Sequence, residues 1–211
     1  MTSYIGAFPL SMVCFPGEIQ HLHIFEPRYR DLVEDFRLSN SGFALIPFMN
    51  GKSFHLGTEV IIDSIERTYP DGKYDIAIRG TQVLKIHRLQ KKFTGKSYPG
   101  AKVSLHKWIM NPSYEKSVTL NTLVAELYQL LNIDNAEVPS PQEFEISKVV
   151  HKIGLSIEQE LQLLAITAES DRQSFVIDHL IKFIPEVKKM KDLQLKAALN
   201  GHFKNLDPLN F

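Results

Sequence analysis

Residues 22–33 read Leu22-His23-Ile24-Phe25-Glu26-Pro27-Arg28-Tyr29-Arg30-Asp31-Leu32-Val33, and within them the chain changes its period. Extended backbone over residues 20–25 puts His21 and His23 on one strand face. Pro27 then suits the first position of a helix, where its missing N–H is not needed. Through residue 36, Tyr29, Leu32, Val33 and Phe36 recur at helical spacing and predict one buried stripe. Glu26, Arg28 and Arg30, set between Phe25 and Tyr29, form the most distinctive charged group of the chain. Partial burial there predicts a structural lock, either an ion pair or Glu26 accepting amides of the helix start.

Short β-branched and aromatic runs at 8–15, 42–48, 57–69, 73–79, 81–89 and 101–108 predict strands. Between Tyr69 and Tyr74 stands Pro70-Asp71-Gly72-Lys73, where Asp71-Gly72 supplies the positive-φ tolerance of a tight hairpin. Tyr74, Ile76 and Ile78 then share one face of the returning strand, and Gly80 invites a bulge or bend. Val60, Ile61 and Ile62 place apolar groups on both faces of one strand. A curled sheet or small barrel, wet on neither side of that strand, accommodates them.

Beyond Asn111-Pro112 the pattern turns helical, with helices predicted over 113–131, 142–152, 157–166 and 171–184. Ser140, Ser156 and Ser170 each precede Glu or Gln by three residues, the spacing of a capping box. Pro185 is expected to bend or end the helix before it, with a further helix over 186–199, Gly201 at its C-cap and a frayed tail at 205–211. The predicted fold class is α+β: a β-rich lobe over 1–110 with one helix, then a helical bundle over 111–211.

Bulk properties narrow the function. Hydrophobic residues make up 44% and charged residues 23% of 211, the composition of a folding globule. Lys plus Arg count 24 and Asp plus Glu also 24, so no net field draws in polyanions or membranes. Lys85, His87, Arg88, Lys91, Lys92 and Lys96 nevertheless cluster in sequence. The single cysteine, Cys14, forbids an intrachain disulfide and fits a cytoplasmic setting. No run approaches the ~18 apolar residues that cross a bilayer.

The order of several motifs resembles the N-terminal substrate-binding family of Lon proteases. Phe15-Pro16-Gly17 is followed by Phe25-Glu26-Pro27-Arg28-Tyr29, then by Tyr69-Pro70-Asp71-Gly72 and by Arg79-Gly80-Thr81, and the similarity spans roughly residues 8–108. The helical half resembles the family in layout. Where the family usually has an arginine-leucine pair near the start of its long helix, this chain has Arg172-Gln173. The resemblance implies a PUA-like curled sheet or pseudo-barrel followed by a helical lobe, the two forming one substrate-binding domain without the ATPase and protease. It implies non-enzymatic recognition of unfolded or degron-bearing polypeptides, with a protease or chaperone as a further partner and no cofactor. The signature residues Phe15, Pro16, Gly17, Phe25, Glu26, Pro27, Arg28, Tyr29, Asp71, Gly72 and Gly80 are expected to be structural.

Other motifs offer less chemistry. Gly51-Lys52-Ser53 and Gly95-Lys96-Ser97 lack the glycine five residues earlier that a phosphate-cradling loop needs. His21 and His23 lack a third ligand at zinc spacing, and no metal site is expected. No serine sits in a Gly-x-Ser-x-Gly elbow. Capture of polypeptide needs exposed apolar surface or an open sheet edge, and Phe48, Phe54 and Tyr69, near loop or strand ends, are the candidates for it. Two rival readings stand beside this one. An RNA-binding module would use the basic run, against the zero net charge, and an enzyme with a dispersed site would show a polar pocket holding a shifted carboxylate or histidine.

Overall fold

The computed structural model describes residues 2–39, 41–133 and 137–203. Seven strands and four α-helices follow in the order β1 (Thr2–Leu10), β2 (Ile19–Ile24), α1 (Pro27–Arg37), β3 (Phe43–Met49), β4 (Lys52–Ser53), β5 (Leu56–Thr68), β6 (Tyr74–Gln90), β7 (Gly100–Leu105), α2 (Tyr114–Leu131), α3 (Ile157–Ala165) and α4 (Glu169–Phe203). The fold is α+β. Strand order is β1-β7-β6-β5-β3-β4, and β1 returns to pair in parallel with β3 from Ala7↔Ala44 to Leu10↔Pro47, so the sheet curls onto itself without forming a regular barrel.

β6 organises this sheet. Its 17 residues pair with β5 along one side, while the other side is shared between β2, opposite residues 74–79, and β7, opposite residues 84–90. The hairpin that starts it lies where the sequence predicts: Thr68 pairs with Tyr74, Gly72 has φ 79°, and the Tyr69 amide donates to the Lys73 carbonyl at 2.9 Å. Gly80 does not separate two strands. It marks a register shift within one strand, between Glu59 and Val60 on β5, consistent with the expected bulge. A Cβ at Gly80 would collide with the Phe15 carbonyl oxygen, so the residues before β2 sit directly on this backbone.

α1 buries Tyr29, Leu32 and Val33 as the helical spacing predicts, and Phe36 packs beside them. Tyr98 donates to Asp35 at 2.7 Å and Lys96 pairs with the same carboxylate at 2.8 Å, fastening α1 to the β6–β7 connection. A larger core joins the two halves of the chain. Val13, Phe15 and Val83 from the β-rich half pack with Leu120, Val124, Leu163, Leu164, Val176 and Leu180 from the helices.

Several expectations are corrected. The first strand runs over Thr2–Leu10 rather than 8–15, because the chain turns at Met12, whose amide donates to the Leu10 carbonyl, and Val13 to Phe15 are buried outside any strand. Residues 142–152 form no α-helix but two 3₁₀ turns, Ile146–Lys148 and Val150–Lys152. Ile146, Val149, Val150 and Ile153 are buried at helical spacing, but Phe144 is buried too and would fall on the opposite face of one continuous helix. Of the serine signals only Ser156 makes a capping box, with both reciprocal bonds present. Ser140 starts a turn through its carbonyl, and Ser170 falls inside the first turn of α4. Pro185 neither ends nor splits α4, which continues past Gly201. Pro185 and Ile181, the residue whose carbonyl loses its partner, both lie on the exposed face. Residues 205–211 lie outside the described residues.

Candidate functional site

β2 is an edge strand: it pairs with β6 alone. Among the described residues no group beyond β6 hydrogen-bonds the backbone of residues 19–25, so alternate N–H and C=O groups of this edge have no protein partner. Such a row is a template for another strand unless it is covered or charged. Ile19, His21, His23 and then Phe25 are exposed, while Ile24 is buried and Leu22 partly buried against the core beneath them. Phe25 is 58% exposed, a large apolar side chain standing at the strand-to-helix corner.

A web of aromatic and charged contacts makes that corner rigid. The His23 ring stacks beside Phe25, with centroids 6.2 Å apart and planes 23° apart, and meets the edge of Tyr69 at 5.6 Å. Asp75 takes His23 Nδ1 at 2.6 Å on one oxygen and the Tyr69 hydroxyl at 2.6 Å on the other. Those two bonds, Tyr69 first, hold the Asp75 carboxyl below its usual range, and the same bond raises the Tyr69 phenol. The Arg67 guanidinium lies 4.6 Å over the Tyr69 ring. Behind the corner, Phe8 packs on Tyr29 at 4.1 Å, and a cleft of about 310 Å³ opens between the end of β1, β2 and the start of α1.

Only part of the signature meets at this corner, and Glu26 is not held as expected. Glu26 is the N-cap of α1 yet makes no side-chain bond to helix amides. It pairs with Arg28 at 2.7 Å, with 39% and 48% of the two side chains exposed, so the expected ion pair exists without the expected burial. Glu26→Ala is therefore expected to change stability by no more than ~1 kcal/mol, measured by thermal denaturation. Arg30 reaches the hairpin tip instead, donating to the Asp71 carbonyl at 2.7 Å beside Gly72. Phe15, Pro16 and Gly17 sit apart from the corner, where the Gly17 amide donates to the Gly80 carbonyl at 2.8 Å and Phe15 is buried. Of the sequence candidates for a binding patch, Tyr69 joins the corner. Phe48 and Phe54 lie in the β3–β4 hairpin at the far end of β5, roughly 40 Å of strand away, and Phe54 packs against the large core.

A shifted histidine does occur, away from this corner. His151 Nε2 lies 2.8 Å from Glu18 and Nδ1 lies 2.7 Å from Glu160, both carboxylates nearly buried. Burial opposes its charge, but the two carboxylates win and push the ring up to about 10. Glu18 also accepts the Phe15 amide at 2.9 Å. With a carboxylate against each ring nitrogen, His151 acts as a charged clamp between the loop before β2 and the helical half. Its three members are too far apart in sequence for any motif to announce them.

A second buried group ties the halves together. Arg172 is fully buried and uses its whole fork: Glu169 at 2.7 Å, the carbonyls of Ile166, Thr167 and Ile109 at 2.7, 2.9 and 3.0 Å, and the Met110 sulfur at 3.6 Å. Its guanidinium lies 3.4 Å from the Trp108 ring centroid. Gln173 is equally buried. It accepts the Ser113 amide at 2.8 Å and donates to Ser117 at 2.9 Å, so this buried amide is satisfied by polar partners at the start of α2.

Fold and corner together give a curled sheet with one open, aromatic-flanked edge, buttressed by helices. A model of the family described as the ATP-dependent protease La (LON) substrate-binding domain matches residues 5–182, and the chain belongs to that family. Its structure is similar to the Lon N-terminal domain protein from Xanthomonas campestris, with a TM-score of 0.60 and 25% identity over 83% of this chain and 98% of that one. It is similar in fold to the N-terminal domain of the Mycobacterium avium complex Lon protease, with a TM-score of 0.60 and 13% identity over 84% of this chain and 98% of that one. Among curated proteins no sequence match is found. No helix among the described residues is long and apolar enough to cross a membrane.

Proposed function

We propose that this protein recognises exposed polypeptide segments, unfolded or degron-bearing, by accepting them as an added strand on β2, with an apolar side chain lodged against Phe25 and the cleft behind it. The observation that carries the reading is the coincidence of an unpaired strand edge with a 58% exposed phenylalanine at its end. Main-chain hydrogen bonding supplies affinity without sequence preference, and the pocket selects apolar side chains at alternate positions. That combination suits a reader of unfolded chains. Recognition is non-enzymatic in this reading, and cytoplasmic, with a protease or chaperone receiving the bound segment. Family membership supports binding of protein substrates.

The test is equilibrium binding of a fluorescein-labelled polypeptide kept unfolded by reduction and carboxymethylation. Phe25→Ser is expected to weaken binding by roughly 10- to 100-fold, the value of ~1.5–3 kcal/mol for burying a phenylalanine, with Tm unchanged because the ring is exposed. Equal affinity in the variant would contradict the reading.

A further inference from the structure

The basic run in β6 lies on a sheet face that the corner does not use. Ile86 pairs with Val103 and Ala101 with Ile5, and these residues turn into the core. Alternate positions therefore face outward across three strands. Lys85, Ser104 and Thr2 form one cross-strand row, and Arg88, Lys102 and Tyr4 form the next. The register shift between Ile86 and Arg88 adds His87 to the same face, where its Nε2 lies 2.8 Å from the Ser104 hydroxyl.

Among the described residues, the cations of this face stand without carboxylate partners, unlike several others of the β-rich half. Arg28, Arg37, Lys73, Arg79 and Lys96 each pair with a carboxylate. Among the described residues, Lys85, Arg88 and Lys102 make no salt bridge, and neither do Lys91 and Lys92 in the adjoining loop. Tyr4 is 53% exposed in the middle of these cations, with the Lys102 ammonium 6.0 Å from its ring centroid. The zero net charge of the chain conceals this face, and the aromatic that completes it comes from the opposite end of the β-rich half.

We propose that the outer face of β1, β7 and β6 binds single-stranded nucleic acid, with phosphates on Lys85, Arg88 and Lys102 and a base stacked on Tyr4. An acidic peptide would satisfy the cations but would leave the flat, exposed ring without a purpose. Bases of any sequence stack on such a ring, while unpaired cations follow the backbone. With no net charge to steer encounter, binding is modest and sensitive to salt.

Fluorescence anisotropy with a labelled single-stranded RNA of about 12 nucleotides, within the site sizes of such platforms, tests this on the full chain. The logarithm of affinity is expected to fall against the logarithm of salt with a slope of about −2, three phosphates at ~0.7 each. The combined variant Lys85→Gln, Arg88→Gln and Lys102→Gln is expected to lose binding and slope together at unchanged Tm. Tyr4→Ala is expected to weaken binding by roughly 10-fold while leaving the slope intact. Undetectable binding at low salt, wild-type affinity in the combined variant, or equal competition by a poly-glutamate peptide of matching charge would each overturn the proposal.

Discussion

Replacing Arg172 with methionine is expected to lower Tm by roughly 10 °C, from a loss of ~3–5 kcal/mol when one partner of a buried ion pair is removed, at ~2–4 °C per kcal/mol for a chain of this size. The reason lies in what remains. Glu169, itself 1% exposed, would keep only the Ile146 amide at 3.4 Å, and the carbonyls of Ile109, Ile166 and Thr167 would each lose a donor. Those carbonyls belong to the segment after β7 and to the turn between α3 and α4, so the loss falls where the halves of the chain are joined. Arg172→Lys is expected to recover less than half, since an ammonium has three donors and no planar face for Trp108. Thermal denaturation followed by circular dichroism reads both. A change below ~1 kcal/mol in the methionine variant would mean that the surrounding carbonyls find water and that the staple is dispensable.

His151→Gln is expected to destabilise the protein by an amount on the order of 3 kcal/mol at pH 7, because it leaves Glu18 and Glu160 facing one another without a cation. The histidine also sets a pH window. Its folded value of about 10 lies above its ordinary 6.5, so its contribution is fully present below pH 6.5 and is lost as pH rises through 10. The ring is about one-third exposed, which moderates the size of the effect. Other groups titrate in the same range, so the informative quantity is the difference between wild type and variant in denaturant unfolding. That difference is expected to shrink steadily from pH 7 to pH 10. A constant difference would show that the clamp acts through packing against Phe15, 5.9 Å away, rather than through charge.

What the sequence reveals and what it hides follow the range of the interactions involved. The α1 stripe, the Asp71-Gly72 hairpin and the Ser156 capping box are set by neighbours within four residues, and each is legible. The two 3₁₀ turns near Ile146 and the continuity of α4 through Pro185 are decided by how a shared core receives them, which local signals do not encode. The corner was half legible. Its residues stand out as a motif, but the exposure of Phe25 and the openness of β2 depend on which strands β6 accepts along its second side. The Glu18–His151–Glu160 clamp and the Tyr4–Lys102–Arg88 row join positions far apart in the chain, and nothing at any one of them signals the others.

The most direct test of the central claim is amide hydrogen exchange of the protein with and without a saturating unfolded polypeptide. An added strand must protect the outward amides of residues 19–24, with little change in the pairing of β6 to β5, whose partners are already satisfied. Protection concentrated on β2 and the start of α1 is the predicted result. Protection confined to the β3–β4 hairpin around Phe48 and Phe54, with β2 unchanged, would contradict it.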